Sequence, residues 1–287
     1  MDGATRTADV EEAEVEPGGT PGDLDRLRRE LTPTEEVIFR RRSVRVFKKR
    51  QVPEWMIRRV LEAGRFAPSA ANFQPWKFVV VRDRHMLDEM TEFVVEYCKK
   101  VQKVAGYTQP GRQWLKHRVA NLLVRRMPNS LHPTPFGAIN MIAEGRLGLF
   151  HGAPTVIFIF KDVRGVGSPD LDCGIAGQNM VLTAHSMGLG TCWVGFGTIL
   201  FDNGTEWRRR LGLEYPYEFA SSIAVGLPKG EPDGMVPRET HPVVWFEDGT
   251  SRPLDPCDEP QAIHRSERAR IPDYRELLHR EQGVSEL

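Results

Sequence analysis

The run Arg40-Arg41-Arg42-Ser43-Val44-Arg45 places four arginines and a serine within six residues. Guanidinium groups grip a phosphate through paired N–H bonds, and a serine hydroxyl adds a donor, so the run has the chemistry of an anion cradle. It also has the chemistry of a solvated helix end, whose cations complement the negative end of the helix dipole. A second stretch, Ala67 to Phe78 (APSAANFQPWKF), offers Ser69, Asn72 and Gln74 as donors and acceptors between two stiffening prolines, Pro68 and Pro75. A rigid loop of this kind suits a flat heterocycle with mixed edges, such as a flavin or a nucleobase. It equally suits a helix C-cap followed by an Asx-rich turn, with Trp76 anchored in the core. A third stretch, GTCWVGFG at 190–197, carries Gly195 and Gly197, which either let a backbone N–H approach a ligand closely or make an ordinary turn.

Other chemistries are not written in the chain. There is no C-x-x-C pair, no metal-ligand spacing of His, Asp and Glu, no G-x-S-x-G and no G-x-G-x-x-G. The four cysteines, Cys98, Cys173, Cys192 and Cys257, are widely spaced and read as free thiols of a reducing cytoplasm. With 39 basic and 39 acidic residues, no global charge excess points to nucleic acid or to an acidic membrane surface. The longest uninterrupted apolar run, Val156 to Phe160, falls far short of the roughly 20 residues that span a bilayer.

The elements that must position these stretches follow in order. Residues 1–30 are small, acidic and Gly/Pro-punctuated, and read as a disordered tail. Thr32-Pro33-Thr34-Glu35 is a capping box that opens a helix ending in the arginine run. Pro53 opens a second helix with Met56, Val60, Leu61 and Ala63 on one face, and Trp76 to Val81 is a strand. A long helix over about 84–104 keeps Met86, Leu87, Met90, Phe93, Val94, Tyr97 and Val101 on one stripe. The pattern weakens over 105–150, read as a lid-like insertion with a helix near 111–126, in which Trp114, His117, Arg118, His132 and Phe136 either face a substrate or pack the insertion down.

Thr155 to Phe160 is an apolar strand suited to a sheet centre. Asp170 to Met187 is a helix ended by Gly188, and its many small residues suggest a tight helix–helix or subunit contact. Residues 190–197 read as a short strand followed by a Gly-bounded loop, 204–211 as a short helix, 219–226 as a strand and 241–246 as a last strand or an extended arm. Residues 251–287 form a charged extension with one helical pattern near 273–282. The folded domain therefore spans about 31–250.

Five segments, in order, resemble the nitroreductase family of flavin mononucleotide (FMN) enzymes. They are RRSVRVF at 41–47, APSAANFQPWKFVVV at 67–81, GAPTVIFIF at 152–160, DCGIAGQNMVLTAHSMGLGTCWVGF at 172–196 and IAVGLPKGEPDGMVPRE at 223–239. The resemblance covers residues 32–246. It implies an α+β fold, a three-layer α-β-α sandwich with a mostly antiparallel central sheet. It also implies a homodimer with the flavin at the subunit interface. By position, Arg41, Ser43 and Arg45, with Arg42 beside them, hold the flavin phosphate and nearby ring edge. Pro68, Ser69, Asn72 and Gln74 reach the flavin from the other subunit. Val194 and Gly195 bring backbone N–H groups near the flavin N5, and Arg238 closes on the phosphate. Val194 stands where some members carry an acidic residue.

The function so implied is transfer of electrons from NAD(P)H through FMN to a small organic acceptor such as a nitroaromatic, quinone or enone. No side chain is required as a catalytic nucleophile or base, and no metal. The alternatives are reductive dehalogenation, for which Glu92, Glu96, Tyr97 and Lys99 lie in the relevant region, a flavin-destroying reaction, or flavin binding without turnover.

Overall fold

The structure is a computed structural model that describes residues 31–105, 133–230 and 243–254. The expected helices near 111–126 and 273–282, and with them Trp114, His117, Arg118, His132 and Arg238, lie outside the described residues. In chain order the elements are α1 (Pro33–Arg40), α2 (Glu54–Arg65), β1 (Trp76–Val81), α3 (Arg84–Ala105), α4 (Pro133–Ala143), β2 (Thr155–Asp162), α5 (Pro169–Ser186), β3 (Gly190–Trp193), α6 (Thr198–Asn203), α7 (Thr205–Arg210), β4 (Tyr217–Gly226), β5 (Val243–Glu247) and β6 (Thr250–Leu254). Two 3₁₀ turns, Ala70–Asn72 and Gly195–Gly197, complete the set. The described residues fall into two units, one of 37–105 with 133–230, the other of 31–36 with 243–254.

The larger unit is built on β2. It pairs antiparallel with β1 on one side and β4 on the other, and β4 pairs antiparallel with β3, giving the order β1-β2-β4-β3. Side chains alternate across a strand, so the β2 run TVIFIF buries two different cores. Val156, Phe158 and Phe160 face Leu87, Met90, Val94 and Cys98 of α3, Ile142 of α4, Leu200 and Phe201 of α6 and Trp207 of α7. Ile157 and Ile159 face Met56, Ile57 and Val60 of α2 and Met180, Val181 and Ala184 of α5. Helices on both faces of an antiparallel sheet make the three-layer α-β-α sandwich that the resemblance implies. Phe158 and Phe160 are fully buried and meet Phe201 edge-on, with centroids 5.5 and 5.0 Å away. Such pairs add to the roughly 1.5–3 kcal/mol that burying each ring contributes.

The helix signals hold at the level of atoms. The Thr32 hydroxyl accepts from the Glu35 amide at 3.3 Å, and the Thr32 amide donates to the Glu35 carboxylate at 2.7 Å, closing the capping box. Ser168 caps α5, Pro169 opens it, and Gly188 at φ 77 ends it. Elsewhere the structure departs from the reading. Residues 198–203, for which the sequence indicates no element, form α6, ahead of the expected short helix, which is α7. The last strand is one half of a hairpin, β5–β6, turned at Asp248-Gly249.

The small residues of α5 serve packing inside the chain. A Cβ on Gly177 would lie 2.1 Å from the Trp193 ring, and one on Gly64 of α2 would lie 2.3 Å from Met180. Ala176 and Ala184 are buried, whereas Gly174 is exposed with open space around it. This face of α5 therefore packs on α2 through Met180 and on the sheet through Gly177.

Candidate functional site

The arginine run leaves α1 as extended chain and is clamped to the sheet. Ser43 pairs in parallel with Thr191 of β3, and the Val44 amide donates to the Thr191 carbonyl at 2.9 Å. Further on, the Lys48 amide donates to Leu227 at 2.8 Å and the Lys229 amide to Val46 at 3.0 Å. Val44 and Phe47 are buried, and Gly190 makes room for Val44, which a Cβ there would meet at 2.9 Å. With the apolar side chains turned inward, Ser43 and Arg45 are exposed, while Arg41 and Arg42 are half-buried. Arg42 donates to the Phe39 carbonyl at 2.6 Å and the Arg41 carbonyl at 3.0 Å, so it braces the end of α1. The helix-end reading thus fits Arg42, and the cradle reading falls to Arg41, Ser43 and Arg45.

Three groups on other elements sense this concentration of charge. His185, near the end of α5, is pushed down to about 4 by burial and by Arg41, Arg42 and Arg40. His151, in the turn before β2, is held below the ordinary imidazole range by burial and by Arg45. Burial raises the Cys192 thiol while Arg45 and Arg41 oppose it. The His185 shift has a consequence for stability. Between pH 6.5 and about 4 the unfolded chain takes up a proton that the folded chain refuses, so stability falls as pH falls through this window. The slope is at most about 1.4 kcal/mol per pH unit. Urea unfolding at several pH values should show this slope in wild type and lose it in His185→Gln.

The second stretch forms a strained, self-bonded loop. The Ser69 hydroxyl accepts from the Gln74 amide at 2.9 Å, the Asn72 amide donates to the Ser69 carbonyl at 3.0 Å, and the Gln74 side chain donates to Asn72 Oδ1 at 3.1 Å. Ala71, Asn72 and Gln74 stand at φ 51, 53 and 53. Left-handed backbone costs on the order of 1–3 kcal/mol for a non-glycine residue, less for Asn, and it collects at ligand clamps. Pro75 is buried and its carbonyl accepts from the Asp162 amide at 2.7 Å, which fixes the loop to the end of β2. Pro68, Asn72 and Gln74 are exposed and Ser69 is half-buried.

At the third stretch the structure separates two residues. The Val194 amide donates to the Ser222 carbonyl at 2.8 Å, and the Val194 side chain is buried. Its N–H belongs to the sheet. Gly195 opens a 3₁₀ turn, is exposed, and has nothing within 4 Å of where a Cβ would stand. An amide at the start of such a turn has no partner within it, so Gly195 is the residue with a backbone donor to offer.

Ser43, Arg45 and Gly195 share the β3 side of the sheet. The 68–74 loop leads into β1, the edge strand on the other side. Three inter-strand spacings separate β1 from β3, roughly 14 Å. The Ser43–Thr191 pairing also lies toward the other end: Trp76 pairs with Lys161, whereas Thr191 pairs with Val225, which pairs with Thr155, and Gly195 follows Trp193 at the mid-sheet level of Ile157. One chain therefore keeps the two donor sets apart. Sequence reading did not single out His151, His185 or Thr191, because a lone His or Thr carries no periodicity and only the fold brings it beside the arginines. Of the residues weighed for dehalogenation, Lys99 and Glu96 pair with each other at 2.7 Å on the solvent side of α3, and Tyr97 packs against the core.

The nitroreductase family model matches residues 38–227. The chain belongs to the nitroreductase family, whose members are FMN-dependent oxidoreductases. A protein of Methanothermobacter thermautotrophicus, provisionally named NADH dehydrogenase/NAD(P)H nitroreductase, is 30% identical over 73% of this chain and 86% of its own. The 4-nitrobenzoate reductase of a Nocardioides species is 27% identical over 55% of this chain and 66% of its own. Among solved structures, an FMN-bound nitroreductase from Desulfitobacterium hafniense superimposes with a TM-score of 0.55 at 24% identity, covering 73% of this chain and 96% of that one. For a nitroreductase-family chain the donor types fit FMN: guanidinium and hydroxyl groups for a phosphate, side-chain amides for the ring edge and an open backbone N–H at Gly195. Among the described residues no His, Cys, Asp and Glu cluster could hold a metal ion, and no helix is long and apolar enough to cross a membrane.

Proposed function

We propose that this chain is an FMN oxidoreductase that takes electrons from NAD(P)H and passes them to a small organic acceptor, at two composite sites of a homodimer. The observation that carries the reading is the separation of two flavin-compatible donor sets on opposite edges of one sheet, one of them in a concentrated positive field. A second copy of the chain is the simplest way to bring them to a single ligand. Arg41, Ser43, Arg45 and Arg238 bind the phosphate end, and Arg42 holds the run in place. Gly195 donates its amide toward N5. Pro68, Ser69, Asn72 and Gln74 of the other copy border the ring and keep water from it.

Bound FMN supplies hydride acceptance and delivery at N5. The chain needs no nucleophile for this, and burial keeps its described thiols protonated, Cys98 pushed up to about 11 and Cys173 to about 12. Buried thiols of this kind suit a reducing cytoplasm. Exposed apolar side chains lie beside the strained loop: Phe66, 79% exposed, precedes it, and Val166, 55% exposed, stands between Gly165 and Gly167, whose Cβ positions would meet Pro75 and Ala70. A second copy seated there would cover them.

The test is an anaerobic titration of purified, FMN-loaded protein with NADH and with NADPH. The flavin absorbance should bleach with at least one of them and return on addition of a nitroaromatic, quinone or enone. Flavin that neither nicotinamide bleaches would end the reductase reading.

A further inference from the structure

Arg45 has a neighbour with no role in the scheme above. His151 sits in the turn that enters β2, with its backbone left-handed at φ 56 and its amide bonded to the Gly148 carbonyl at 3.1 Å. That conformation is uncommon outside glycine. The turn continues through buried Ala153 to Pro154, and Pro154 and Phe47 both close on Gly226, each 2.8 Å from where its Cβ would be. Gln51 also donates to the Pro154 carbonyl at 2.9 Å. The 148–154 turn and the segment that carries Arg45 are thus packed side by side. The imidazole is half-buried and makes no hydrogen bond among the described residues. Burial and the Arg45 charge favour its neutral form, in which one ring nitrogen is an N–H donor. A ring held by strained backbone beside a cation, with no partner of its own, adds nothing obvious to packing. Strain of this kind persists where a side chain must be aimed.

We propose that His151 is a further flavin-binding residue, whose imidazole N–H donates to the flavin oxygen that Arg45 also engages. That oxygen belongs either to the phosphate or to a ring carbonyl. The inference rests on the FMN reading given above.

The test measures FMN and riboflavin dissociation constants by fluorescence, together with the melting temperature of the apoprotein, in His151→Gly, His151→Asn and Arg45→Ala. Glycine adopts the turn without strain, so the His151→Gly apoprotein should melt at the wild-type temperature or above it. Its FMN dissociation constant should nevertheless rise roughly tenfold, the scale of one hydrogen bond to a charged or strongly polar group. Asparagine tolerates the left-handed turn and keeps an N–H donor, so His151→Asn should recover most of the affinity. A loss confined to FMN assigns the phosphate oxygen. An equal loss for riboflavin assigns the ring carbonyl.

The proposal is overturned if His151→Gly binds both ligands within about twofold of wild type, well under the effect of one hydrogen bond. It is also overturned if the loss comes with a lower melting temperature and asparagine does not restore it, which would mark a structural role. If Arg45→Ala weakens flavin binding and His151→Gly does not, only this inference is lost. If neither does, the placement of flavin on the arginine run falls with it.

Discussion

Gly177→Ala should destabilise the protein by about 3 kcal/mol, the upper part of the range for overpacking a filled core. The added methyl would stand 2.1 and 2.8 Å from two atoms of the Trp193 ring and 2.9 Å from Ile159 Cδ1. An indole cannot turn aside as a flexible side chain can. Trp193 ends β3, two residues before Gly195, so whatever displacement is tolerated should also loosen the Gly195 turn and weaken flavin binding. Gly174→Ala, on the same helix, is the control. Gly174 is exposed and a methyl there meets nothing within 4 Å. It should stabilise by roughly 0.5–1 kcal/mol through helix propensity alone. Urea midpoints of the two variants should move in opposite directions. Equal shifts would mean that α5 does not face the sheet through Gly177.

This contrast shows what the sequence could and could not convey. The number of small residues in α5 was legible and implied close approach. Which body approaches was not, because a helix of small residues has no apolar stripe to mark its inner face. The apolar β2 run and the stripe of α3 were legible because burial on one or both faces imposes a period. Cys98, a core residue of α3, was read only as a thiol. The helix at 198–203 was not legible, because one and a half turns are too short to show a period and only packing of Ile199, Leu200 and Phe201 fixes it. The strand β6 was missed although Asp248-Gly249 is a strong hairpin signal.

The candidate site divides in the same way. Ser43 and Arg45 could be named from residue type, and Asn72 and Gln74 from their loop. That the helix end engages Arg42 is a local fact of side-chain geometry, and that Ser222 engages the Val194 amide follows from the strand pairing of β3 with β4. That His151 and His185 stand in the arginine field is long-range, and depends on pairings between segments more than a hundred residues apart, such as Ser43 with Thr191.

The composite site makes the second large expectation. Arg45→Ala removes a donor on the β3 side of one copy. Asn72→Gly removes the amide on the β1 side while glycine keeps the left-handed turn. Each variant alone should form dimers in which both sites are damaged, with low FMN affinity and little turnover. In a heterodimer of the two, two-fold symmetry puts both lesions into one site and leaves the other whole. Under random pairing half the dimers are mixed and half of their sites are intact, about one quarter of all sites.

The most direct measurement is therefore to co-refold equal amounts of Arg45→Ala and Asn72→Gly chains and titrate the product with FMN under conditions where neither parent binds. Tight sites approaching one quarter of the wild-type number, with nicotinamide-dependent bleaching confined to them, are the expected result. Heterodimers that form but bind no more FMN than the parents would contradict a flavin site shared between two copies of this chain.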